Sequence, residues 1–111
     1  QIFLGQVRGD LIDSKEVVAI EYTAHEEMAN KAFHVIREAA FEKFDLVCMH
    51  IYHSLGVVKT GEICLFVFVS SKHRKDVQLA IEFIVEEIKK KVPVFGKELF
   101  ADDSFVWKEN N

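Results

Sequence analysis

The sequence predicts an α+β fold, a mainly antiparallel sheet with two main helices, and three observations carry that reading. Two long stretches repeat apolar residues at helical spacing. The segment Ile63 to Val69 is apolar at every position. The remaining apolar runs are short, rich in β-branched and aromatic residues, and bounded by glycine or charged residues. Helices laid on one face of such a sheet bury both stripes. With 111 residues the chain is expected to form a single domain with element order β-β-α-β-β-α-β-β.

Ile2-Phe3-Leu4-Gly5-Gln6-Val7-Arg8 reads as a first strand, and Gly9-Asp10 to Ser14-Lys15 as a polar excursion. Val17 to Tyr22 is the second strand. From about Glu26 to Lys43 the period changes. Ala29, Phe33, Ile36, Ala40 and Phe44 form one stripe, with Glu27, Lys31, Arg37 and Glu38 mostly away from it. Leu46 to Tyr52 is again β-rich, and Gly56 and Gly61 bracket a turn or short loop. Ile63 to Val69, apolar on both alternating faces, is expected to be a central strand covered on both sides. A second helix is expected from about His73 to Lys91, with Val77, Ile81, Ile84, Ile88 and Val92 inward. Pro93 ends it, because proline excludes helical geometry from the residue before it. Strand-like pieces follow at Val94–Phe100 and Phe105–Lys108.

Composition narrows the function class. A net charge of −4 and a pI near 5.7 provide no overall positive field to displace counterions from nucleic-acid phosphates, so any anion site must be local. The ten phenylalanines suggest a compact core and a partner interface besides. Cys48 and Cys64 lie in apolar runs with no C-x-x-C relation, and are expected as buried free thiols of a reducing compartment. There is no membrane-length apolar run and no signal-peptide layout, so the expected setting is cytoplasmic. The chain opens on Gln1, directly in strand-like sequence, which leaves room for an N-terminal segment before it.

The sharpest local feature is Ser70-Ser71-Lys72-His73-Arg74-Lys75. Ser70 or Ser71 suits a helix N-cap, and the turn after it normally favours acids, because the helix dipole is positive there. Two lysines, an arginine and a histidine stand there instead. Free N–H groups, dipole and basic side chains together suit a phosphate or carboxylate; the plain alternative is a solvated cluster relieved by Asp76. Arg8, at a strand end beside Gly9, is a second candidate. Lys89 is a third: the run Lys89-Lys90-Lys91 suits a helix C-terminus, but Lys89 borders the apolar stripe, where partial desolvation would favour a base or nucleophile. Cys48, His50 and His53 do not make a metal site on a regular strand, because His53 faces away from the other two.

Taken in order, these segments resemble the large subunit of molybdopterin synthase, the MoaE family. Gly5-Gln6-Val7-Arg8 resembles the family's G-x-V-R strand, and Ile20-Glu21-Tyr22 through Met28-Ala29 its L-E-Y…M-A helix entry. His53-Ser54-Leu55-Gly56 is similar to H-R-x-G. Val69-Ser70-Ser71-Lys72-His73-Arg74 resembles V-S-S-A-H-R, the most specific block. Leu79 to Glu98, with Lys89, Pro93 and Lys97-Glu98, resembles a stretch ending L-K-x-x-x-P-x-W-K-K-E.

The resemblance implies an α/β-hammerhead-like fold and a homodimer of large subunits. It also implies a partner, a small ubiquitin-like sulfur-carrier subunit whose C-terminal Gly-Gly thiocarboxylate enters the active site. Sulfur would pass onto cyclic pyranopterin monophosphate to form the molybdopterin dithiolene, with no cofactor and no metal. His73 and Arg74 would bind the pterin phosphate with Arg8 assisting, and Lys89 would be the catalytic lysine. Two positions depart from the pattern. Gly96 stands where the family has a functional lysine, and Ser54 where it has arginine. A bulge at Gly96 would let Lys97 supply the missing amine. The alternatives are a divergent paralogue that binds the carrier without turnover, and an unrelated small-ligand-sensing domain.

Overall fold

The computed structural model describes residues 1–108. The elements are β1 (Ile2–Gln6), β2 (Leu11–Ile12), β3 (Lys15–Ala24), α1 (Glu26–Lys43), β4 (Cys48–His53), β5 (Gly56–Lys59), β6 (Ile63–Ser70), α2 (Arg74–Lys91), β7 (Val94–Phe100) and β8 (Phe105–Trp107). The helices start and stop where the chemistry of their ends requires. His25 caps α1, its Nδ1 accepting from the Met28 N–H at 3.3 Å. Glu26 and Glu27 in the first turn and Lys43 in the last match the dipole. Helix α2 ends at Val92, whose extended backbone (ψ 125) is what the following Pro93 demands.

Two antiparallel sheets share the chain. Strands β1-β6-β4 form a three-stranded sheet, and α1 and α2 pack on one of its faces. The core between them holds Ile36 and Ala40 from α1, Ile84 and Ile88 from α2, and Met49, Val67 and Val69 from the sheet. The second sheet has five strands. β3 is its centre, paired with β7 from Val17↔Phe100 to Ala24↔Val94 on one edge, and with β2 and β5 on the other. A smaller core of Val7, Val17, Ile20, Tyr22, Val58 and Phe100 lies against it. The sheets are tied at the end of β1, where Val7 N–H donates to the Glu62 carbonyl (3.0 Å) and its own carbonyl accepts from Gly61 N–H (2.9 Å).

The observed order is β-β-β-α-β-β-β-α-β-β, two strands more than expected. The polar excursion conceals a hairpin. Asp13 (φ 50) and Ser14 (φ 67) are both left-handed, the requirement of a two-residue type I′ turn, whose twist matches the strands it joins. Neither residue is glycine, so the usual hairpin signature is missing. β5 occupies what read as loop between Gly56 and Gly61, whose φ values of 81 and 91 turn the chain at each end.

The expectation that β6 is covered on both faces is corrected. Leu65, Val67 and Val69 are buried beneath the helices, but Phe66 and Phe68 on the other face are only half-buried. Around them His50 lies against Phe68 and Tyr52 against Phe66, each pair with ring centroids 5.9 Å apart, and Ile2 and Leu4 are exposed nearby. An all-apolar strand is explained within this chain by one buried and one open aromatic face. Cys48 and Cys64 are free, as expected, but half-buried rather than buried; Cys64 packs against the edges of both cores without being enclosed by either.

The packing separates the two sides of α2 energetically. Ile84→Ala, at a fully buried position, is expected to cost about 2–5 kcal/mol in urea denaturation. Leu79→Ala, on the exposed side, is expected to stay within about 0.5 kcal/mol of the parent.

Candidate active site

Where the two sheets meet the C-terminal turn of α2, the chain leaves a cleft of about 490 Å³. β1 and its exit contribute Phe3 to Val7 and Arg8, and β4 and β6 contribute His53, Cys64 and Leu65. Helix α2 adds Ile88, Lys89 and Val92, and the central sheet adds Ile20, Tyr22, Val94, Gly96 and Glu98, with Lys108 beyond β8. Strand alternation sorts these residues. Val94, Gly96 and Glu98 share the face that looks into the cleft, and Phe95, Lys97 and Leu99 take the other.

Arg8 and Lys89, far apart in sequence, therefore line one cleft. Arg8 is exposed and pairs with Asp10 at 3.3 Å, which holds its guanidinium at the rim. Lys89 is also exposed. The expected desolvation of its amine is not provided by this chain: Ile88 turns inward, and Lys89 falls just outside the stripe. Behind these cations the wall is less wet. Glu98 is buried, and Tyr22 and His53 meet edge to face with ring centroids 5.0 Å apart. Burial, then the adjacent Cys64 thiol and the charge of Glu98, push the Tyr22 hydroxyl far above its ordinary range. Burial lowers the His53 pKa, opposed by its hydrogen bond to the Ser54 carbonyl. That carbonyl only accepts, so the Nδ1 2.8 Å away carries the proton and the neutral ring keeps Nε2 as an acceptor.

His73 and Arg74 are at the start of α2, and neither lines the cleft. Their surroundings are more acidic than the sequence suggested. His73 Nε2 lies 3.8 Å from Asp45 Oδ2, and ligand atoms of Asp45, His73 and Asp76 fall within 4.8 Å of one another. The N-cap is His73 itself, without a side-chain bond. The expected capping serine, Ser71, instead accepts from the His73 N–H at 3.2 Å and donates to the Asp45 carbonyl.

Lys97 does not reach the cleft. The β3–β7 register runs unbroken through Tyr22↔Gly96 and Glu21↔Lys97, so the bulge expected at Gly96 is absent. The Lys97 amine lies on the opposite face, 3.7 Å from Glu21 and 4.4 and 5.4 Å from the ring centroids of Phe105 and Trp107. Ser54 donates its hydroxyl to the Ile63 carbonyl at 3.1 Å and does not line the cleft. Tyr22, His53, Cys64, Glu98 and Lys108 were not singled out from sequence as cleft residues. Alternation along β7 could have put Glu98 beside Gly96, but only the sheet pairing shows which face is the cleft.

The two displaced ionisations predict opposite pH limits. A histidine whose folded pKa lies below 6.5 costs stability only on acidification, because the unfolded chain takes up that proton first. His53 is therefore expected to titrate below 6.5 by NMR, and His53→Gln to reduce the loss of stability between neutral pH and the folded pKa. Tyr22, raised above 10, works the other way. Stability is expected to fall as pH rises past 10, where the unfolded chain loses its phenolic proton first, and Tyr22→Phe to flatten that alkaline limb.

Comparison with known proteins gives the cleft its context. Residues 1–91 match the family model described as MoaE protein. The molybdopterin synthase catalytic subunit of Pyrococcus abyssi is 39% identical over 110 residues, covering 99% of this chain and 73% of that one. The crystal structure of molybdopterin synthase from Staphylococcus aureus superposes with a TM-score of 0.91 at 32% identity, over 98% of this chain and 78% of that one. A complex of subunits 1 and 2 of the molybdopterin-converting factor from Helicobacter pylori shares the fold, with a TM-score of 0.81 at 21% identity, covering all of this chain and 71% of that one. A chain alike along nearly its whole length to catalytic subunits of molybdopterin synthase, in sequence and in fold, belongs to the MoaE family.

Proposed function

We propose that this chain is a sulfurtransferase that forms the molybdopterin dithiolene, taking sulfur from the thiocarboxylated C-terminus of a small carrier protein and placing it on cyclic pyranopterin monophosphate. The observation that carries the reading is the cleft itself, with Arg8 and Lys89 on its rim and an apolar wall of Ile20, Leu65, Ile88 and Val92 behind them. A cleft between two sheets suits an extended Gly-Gly tail, since a tail without side chains lets its backbone approach the wall closely. The H. pylori structure of this fold, a complex of subunits 1 and 2 of the molybdopterin-converting factor, supports a second, different subunit as partner.

In this reading the carrier's thiocarboxylate sulfur bonds to a pterin side-chain carbon as a C–O bond at that carbon breaks and the oxygen leaves, protonated, as water. A second water then attacks the resulting thioester, its acyl C–S bond breaks, the sulfur stays on the pterin as a thiol, and the carrier returns as a carboxylate. The second step, water attack on the thioester, places negative charge on the carbonyl oxygen. Lys89, exposed at the mouth, is suited to hold that oxyanion, and the arriving tail would supply the desolvation that the free chain lacks. It could alternatively act as the base toward the attacking water. Arg8 would hold the substrate's anionic group.

His73 and Arg74 are assigned to the substrate phosphate, and because they do not line their own chain's cleft, that role calls for a second copy. The open face of the three-stranded sheet suits a homodimer. It presents Ile2, Leu4, Tyr52, Phe66 and Phe68, and β6 leads from it directly into the His73–Arg74 turn.

Two experiments test these roles. With thiocarboxylated carrier and the pterin precursor, Lys89→Ala is expected to lower dithiolene formation by about 10²-fold or more while leaving carrier binding and thermal unfolding unchanged. Parent-like turnover would remove Lys89 from the mechanism. In sedimentation, the parent is expected to run as a dimer and Leu4→Glu/Tyr52→Glu as a folded monomer. A double variant that remains dimeric would place the interface elsewhere.

A further inference from the structure

Gly96 brings bare backbone close to its neighbours in the cleft wall, and those neighbours are specific. A Cβ added there would lie 3.2 Å from Ile20 Cγ2, 3.4 Å from Tyr22 Cε1 and 3.5 Å from Lys108 Cβ. The last distance follows from the register of the β7–β8 hairpin. Lys97 pairs with Trp107 and Glu98 with Val106, so position 96 stands opposite position 108, and the Lys108 N–H donates to the Gly96 carbonyl at 2.8 Å. Residues directly opposite on antiparallel strands project on the same face. Lys97 and Trp107 accordingly share the outer face, and Gly96 and Lys108 share the inner one, where both line the cleft.

We infer that Lys108 is the second amine of the cleft. It is a binding residue reaching from the end of β8 beside the backbone of Gly96, and it contacts the anionic group of the bound substrate or of the carrier tail. Three features support this placement over a solvated surface lysine. Lys108 lines the cleft, and no carboxylate among the described residues comes within 4.0 Å of its ammonium. The neighbouring cation Lys97 is already held by Glu21 and two aromatic rings on the far face. A side chain at 96 would press first on Ile20, at 3.2 Å, and meet the Lys108 stem at 3.5 Å in ordinary contact, so positions 96 and 108 stand side by side on the inner face. The two sources of the anion, pterin phosphate and carrier thiocarboxylate, share the chemistry of a delocalised negative group that an ammonium recognises.

The inference rests on the proposed sulfur-transfer site, and binding measurements separate the two. Calorimetry with the full chain would use two probes, cyclic pyranopterin monophosphate and a synthetic peptide ending in a Gly-Gly thiocarboxylate. Lys108→Met keeps the stem and removes the charge. It is expected to weaken one of the probes about tenfold, the scale of one charge-assisted hydrogen bond, and the probe affected identifies the anion. Lys97→Met is expected to bind both like the parent. The swap Gly96→Lys/Lys108→Met, which returns the amine from the opposite strand, is expected to recover most of the loss. Parent-like binding of both probes by Lys108→Met would overturn the inference, as would a folded swap variant that recovers nothing. Weaker binding in Lys108→Met from a parent without dithiolene turnover would remove the sulfur-transfer reading and leave the cation site in place.

Discussion

The architecture depends on the pairing of β3 along both of its edges. This strand accepts β7 over its length on one side and β2 and β5 on the other, while its inward residues Val17, Ile20 and Tyr22 fill the smaller core. Because side chains alternate with a period of two, a slip of one residue between β3 and β7 would carry Lys97 into the cleft and turn Glu98 out of it. The buried apolar positions on either side, Ile20 on one strand and Phe100 on the other, oppose such a slip. Cleft composition is therefore a consequence of core packing elsewhere in the sheet.

The same constraint arranges charge. Cations stand at the rim, with Arg8 at the end of β1, Lys89 in the last turn of α2 and Lys108 past β8. Burial adds to the preference of two groups deeper in the wall, Tyr22 and His53, for their neutral forms. Three cations, Arg8, Lys89 and Lys108, line the cleft against the carboxylates Asp10 and Glu98, a positive balance that favours an anion at the mouth.

The two sheets also divide the labour between inner and outer surfaces. The three-stranded sheet is shielded by α1 and α2 on one face, and its aromatic residues on the other lack a covering layer in this chain. Apolar area left open beside the His73–Arg74 turn links two features that the single chain leaves unresolved, an uncovered sheet and a basic helix start distant from the cleft. A second copy would address both.

Periodicity was enough to identify α1 and α2, the strands with strong apolar runs and the stop at Pro93, because each depends on neighbours a few residues away. It missed β2, whose turn uses Asp13 and Ser14 in place of glycine, and β5, whose four residues become a strand only when β3 lies beside them. The ordered motifs around Arg8, His73-Arg74 and Lys89 were legible too, since they are local strings. Which of them share a cleft was not. Arg8 and Lys89 converge because β1 and the end of α2 pack against the same sheet junction, and His73 and Arg74 do not because α2 carries its start away from it. The basic run that stood out in the sequence thus proved to be flanked by Asp45 and Asp76, while the quieter pair Gly96 and Lys108 proved to be neighbours. That pairing is a property of hairpin register, a contact between distant residues that no local pattern encodes.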